Sequence, residues 1–168
     1  PQVFSFDGLT RSIEQRRQEL EEEVASTTSK AKEILENANQ VRLAVHALLA
    51  SKDLLGGIGQ EVSKIAQQMN HSVATTTAAE EKIQSRGFFS RLFFGGDSGS
   101  AEAISKEVTK NAENINELAD LLEGTEVSTR VRTALQTQLD ALLAEQARLQ
   151  NLAQKEKSRW GIFSWRFF

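Results

Sequence analysis

His46 and His71 are the two imidazoles of this 168-residue chain, and it has no cysteine. Thiol nucleophiles, zinc–thiolate sites and disulfide frameworks are therefore excluded. A helical hairpin turning near residue 54 sets His46 opposite Ile58 to Gln60 and away from His71, so no shared metal site is expected. Leu43 stands three residues before His46 and Gln68 three before His71, which removes the Glu-x-x-His pairs of a di-iron bundle. Gly56-Gly57-Ile58-Gly59 is not followed by Lys-Ser or Lys-Thr, so it is no phosphate-cradling loop. Glu21-Glu22-Glu23 reads as a solvated helix face.

Gly96-Asp97-Ser98-Gly99 resembles the Gly-Asp-Ser-Gly-Gly surround of the nucleophile in chymotrypsin-like proteases, and departs from it at Ser100. The resemblance implies a serine nucleophile with a histidine base, an oxyanion hole and a β-barrel to hold them. The helical periodicity of this chain offers no such scaffold. The expected role of Asp97, Ser98 and Ser100 is to cap a helix after a glycine turn. No catalytic residue, metal or cofactor is predicted, and the chain is read as a non-enzyme.

The chemistry that does stand out is aromatic and basic. There are nine Phe and two Trp but no Tyr. Phe88, Phe89, Phe93 and Phe94 alternate with Arg86 and Arg91, and Trp160, Phe163, Trp165, Phe167 and Phe168 with Lys155, Lys157, Arg159 and Arg166. Residues 87–94 and 161–168 share one pattern: Gly, apolar, Phe, Ser, two variable positions, Phe, Phe. Rings beside cations suit an interfacial anchor on anionic lipid. They suit equally a closed aromatic mini-core in which Arg stems cover the rings.

The elements that must carry these clusters are helices. Leu20, Val24, Thr27, Ala31, Ile34, Ala38, Val41, Val45 and Leu48 step by four and three, the seam of a coiled coil over about four heptads. One helix over 9–50, capped by Asp7, would be about 63 Å long. Ile58, Val62, Ile65, Met69, Ser72, Thr76, Ala79 and Ile83 repeat the beat over 57–86. Ile104, Val108, Asn111, Ile115, Leu118 and Leu122 carry it over 101–123. Val131, Leu135, Gln138, Leu142, Glu145, Leu149 and Leu152 carry it over 126–159, widened by Leu139 and Leu143 and capped by Thr125. The expected fold is all-α: one domain over 1–168, an elongated antiparallel up-down-up-down four-helix bundle, with an aromatic loop at 87–100 and an aromatic tail at 160–168.

In that topology the N-terminus, the second loop and the C-terminus meet at one pole, which gathers all eleven aromatic residues there. Exposing them would forgo on the order of 20 kcal/mol at ~2 kcal/mol per ring, more than a domain's net stability. The expected docking residues are Phe88, Phe89, Arg91, Phe93, Phe94, Lys157, Arg159, Trp160, Phe163, Trp165 and Arg166. The expected partner is an anionic membrane surface or a protein, a second copy of the chain included. A net charge of −3 and the lack of a basic recognition helix disfavour nucleic acid. No segment reaches the ~20 apolar residues of a spanning helix and no signal peptide is evident. The expected setting is the cytoplasm, peripheral to or tethered at a membrane.

Overall fold

The computed structural model describes residues 3–27, 29–87, 90 and 95–159. Five α-helices fill the described residues, and no strand occurs among them. They are α1 (Phe6–Ala25), α2 (Ser29–Ala50), α3 (Gly59–Ser85), α4 (Ser98–Glu123) and α5 (Thr129–Ser158). Two short 3-10 turns, Lys52–Leu54 and Gly56–Ile58, link α2 to α3.

The single helix expected over 9–50 is two. α1 stops at Ala25, and the hydroxyls of Ser26 and Thr27 both donate to the carbonyl of Glu23, at 2.8 and 2.9 Å. The Thr27 N–H tightens the turn onto Val24 O at 3.1 Å. Ser and Thr thus satisfy the last carbonyls of α1 without help from a next helical turn. α1 then folds back along α2. Ser12 meets His46, the Leu20 carbonyl meets Asn39, and Glu23 meets Arg42, so numbers fall on one helix as they rise on the other.

Contacts among the remaining helices close a ring: α2 packs on α3 and α5, and α4 packs on the same two. Burial follows the predicted seams closely on α3 and α4, where every seam residue from Val62 to Ile83 and from Ile104 to Leu122 is buried. On α5 Leu139 is buried but Leu143 is 47% exposed, so the seam is wider on one side only. Caps shift slightly from expectation. Ser5, rather than Asp7, caps α1 by accepting from Gly8 N–H, and Ser128, rather than Thr125, caps α5.

The core falls into two apolar clusters. The larger joins all five helices through residues such as Leu9, Leu48, Met69, Leu118 and Leu135. The smaller joins α3, α4 and α5 through Ala79, Ile83, Ala101, Ile104, Val108, Leu149 and Ala153. Buried polar residues stand between them: Ser72, Thr76, Glu80, Asn111, Glu145 and Gln146.

Candidate docking pole and buried polar layer

The smaller cluster leads to the end of the fold where the second loop returns and α5 finishes. Gly96 N–H donates to the carbonyl of Arg159 at 3.1 Å, and Asp97 N–H donates to Glu156 Oε2 at 3.3 Å. The approach is so close that a Cβ at Gly96 would overlap the backbone carbonyl of Glu156. Only glycine fits there. Gly95 beside it has a φ of 76°, the left-handed region that glycine adopts freely.

Glu156 is buried and also accepts from the Arg159 guanidinium, so one carboxylate ties the loop to the end of α5. Asp97 caps α4, taking a hydrogen bond from Ser100 N–H at 2.9 Å. That backbone bond holds its carboxyl below the usual aspartate range, with Lys82 and Arg86 adding to the effect. Ser98, the residue of the protease-like sequence, is the first residue of α4. Its surround is a helix start, as the capping reading expects.

Of the predicted docking residues, Lys157 and Arg159 are described. Lys157 Nζ donates to Ser105 Oγ at 3.1 Å, joining α5 to α4, and Arg159 is held by Glu156. Both side chains remain largely exposed. Phe88, Phe89, Arg91, Phe93, Phe94, Trp160, Phe163, Trp165 and Arg166 lie outside the described residues. The sequence reading of one pole holding every aromatic needs correction for Phe4 and Phe6. Because α1 folds back, Phe6 lines one surface cleft with Thr129, Arg130, Thr133 and Ala134 at the start of α5. Phe4, 74% exposed, precedes it. Thirty residues of α5 separate that end from Arg159, about 45 Å.

Sequence reasoning did not foresee the charged part of the buried layer as a connected unit. Arg148 Nη1 and Nη2 reach the two oxygens of Glu80 at 2.6 Å each, while Nε and Nη2 reach Glu145 at 2.7 Å. Burial alone would lower the Arg148 pKa, but hydrogen bonds to Glu145 and Glu80 outweigh it and raise it. Beside this triad, Asn111 Nδ2 donates to Ser72 Oγ at 2.9 Å and to Gln146 Oε1 at 3.2 Å. The signal was present in the spacing: Glu80 follows Thr76 by one helical turn, and Arg148 follows Glu145 by three residues.

His46 has a partner that the sequence did not indicate. It bonds Ser12 on α1 at 2.9 Å, a contact the folded-back helix creates. Burial, then the nearby Arg16, lowers its pKa. Among the described residues no group of His, Asp or Glu is arranged to hold a metal, and no helix is long and apolar enough to cross a membrane. No protein-family model matches this chain, and comparison with curated proteins and with solved structures finds no match.

Proposed function

We propose that this is a non-enzymatic helical module, an antiparallel four-helix bundle of α2–α5 with α1 strapped on α2, that docks through an aromatic-basic pole onto an anionic membrane surface. The observation that carries the reading is the Gly96–Arg159 joint. It holds Gly96, which follows the 87–94 segment in the chain, against Arg159, which precedes the 160–168 segment. The two segments share one Gly-apolar-Phe-Ser pattern, and Lys157 and Arg159 are exposed beside the joint. Rings below the headgroups and cations among them are the arrangement such a surface rewards. The setting that follows is the cytoplasm, at the membrane face. Co-sedimentation with anionic vesicles tests it. Binding is expected, with loss in a Phe88→Ala, Phe89→Ala, Trp160→Ala, Trp165→Ala variant; binding unchanged in that variant overturns the role of the rings.

A second reading, a protein-interaction or assembly module with a closed aromatic pole, is favoured by the buried polar layer. A chain selected for bundle stability alone gains little from a Glu80–Arg148–Glu145 triad, because apolar residues of similar volume are often as stabilising. Concentration-dependent mass in sedimentation equilibrium without lipid supports this reading over the first.

A further inference from the structure

The hinge between α1 and α2 joins two helices that the sequence also permits to be one. Between Ala25 and Ser29 lie Ser26, Thr27 and Thr28, with neither Gly nor Pro. Ser26 itself keeps right-handed helical backbone, with φ −83° and ψ −5°. The apolar seam runs Leu20, Val24, Thr27, Ala31, Ile34 without losing its four-three step across the break. Nothing in the chain chemistry forbids a continuous helix there.

The polar ties that hold α1 back are all to α2: Ser12 to His46, Leu20 O to Asn39, and Glu23 to Arg42, while its apolar stripe joins the common core. In a continuous helix Ser12 and His46 would stand about 51 Å apart, so a single chain could not make that bond with itself. A second copy could. Its α1 carries the same Leu9, Ile13 and Leu20 stripe and the same polar partners, so every contact now made within the chain has an identical counterpart between chains. Short hinges that join otherwise intact elements favour this kind of exchange.

We propose that α1 is exchanged between two copies of this chain, the α1–α2 hairpin opening into one helix and each α1 packing on the α2 of its partner. This deepens the assembly reading and does not depend on the membrane one. The hinge residues set the balance. The hydroxyls of Ser26 and Thr27 stop α1 by capping Glu23 O, and alanine at both positions removes those bonds while raising helix propensity. Glycine at both positions disfavours the straight helix.

The test combines sedimentation equilibrium with energy transfer between singly labelled chains. Because the chain has no cysteine, Glu14→Cys and Asp53→Cys, both at exposed positions, each take one dye. The Ser26→Ala, Thr27→Ala variant is expected to dimerise at least about 10-fold more tightly than the unaltered chain, and the Ser26→Gly, Thr27→Gly variant about 10-fold more weakly. Mixing a chain labelled at 14 with one labelled at 53 is expected to give transfer that rises with the dimer fraction. A dimer without transfer overturns the exchange while leaving an assembly role standing. A monomer at all concentrations in the alanine variant, with its helical circular dichroism intact, overturns both. The unaltered chain, mixed at high concentration, supplies the same readout should the alanine variant misfold.

Discussion

Arg148 on α5 grips Glu80 on α3 at two points, both 2.6 Å, in the parallel fork geometry that guanidinium and carboxylate share. The same side chain holds Glu145, so one cation serves two carboxylates that are themselves almost wholly buried. Removing the cation strands both. Arg148→Met is expected to destabilise the fold by about 3–5 kcal/mol, the usual cost of leaving buried charge unpaired. Adding Glu80→Gln and Glu145→Gln to it should recover a substantial part. Urea denaturation of the single and triple variants measures this, and equal stability of the two would show that the layer carries no strain of charge.

Gly96 is expected to tolerate no side chain. The obstruction is backbone, the Glu156 carbonyl, and cannot rotate away. Gly96→Ala should cost about 1–3 kcal/mol, as overpacking does, and should free Arg159 O for solvent. Gly87→Ala, with open space around it, is the control and should be near neutral. Thermal melts of the pair decide the matter.

Asp97 separates capping from charge. Asp97→Ala loses the bond to Ser100 N–H and should cost about 1 kcal/mol, whereas Asp97→Asn retains a cap. Because the folded carboxyl lies below its usual value of 3.8, its ionic contribution is present above that pH and is lost as pH falls through the folded value. The stability difference between the unaltered chain and Asp97→Asn should therefore be constant above about pH 4 and shrink below it.

His46 links α1 to pH. Its folded pKa is below the ordinary 6.5, so the unfolded chain binds the proton more readily. Its contribution is full above 6.5 and declines as pH falls toward and through the folded value. Arg16 on α1 opposes the charged ring, Glu19 on α1 partly offsets it, and Arg42 lines the same cleft from α2. The protection of α1 amides, corrected for the intrinsic pH dependence of exchange, is expected to fall on going from about pH 7.5 to about pH 5.5. His46→Gln should flatten that response; an unchanged profile would remove His46 as its source.

Much of the helical order was legible because α3, α4 and α5 keep steps of four and three, mostly apolar, and burial follows them at nearly every position from Val62 through Leu149. The α1–α2 break was not. Ser26 and Thr27 act through hydrogen bonds that a periodicity count does not see, and the seam stays in phase on both sides. A clue lay in α2 itself. From Val41 to Ala50 only Arg42 and His46 are polar, and Ala44 and Ala47 are buried along with Val45 and Leu48. A helix apolar on nearly every side must be covered on more than one. Asp97 was legible as a cap because short acidic side chains before a helix have one dominant use. The Gly96 contact was not, since it depends on residues sixty positions away in the chain.

The division of the core into a large and a small cluster has a consequence for where the molecule yields. Local opening starts where few apolar side chains hold the backbone. Among the described residues the small cluster draws on three helices and includes three alanines, whereas the large one draws on five helices and is built mainly of branched aliphatic residues. The polar layer insulates one from the other, so a fluctuation in the small cluster need not spread. Counted over the described residues, the end that carries Gly96 and Arg159 is thus the softer end, and a partner arriving there meets the part of that framework that can be remade at least expense.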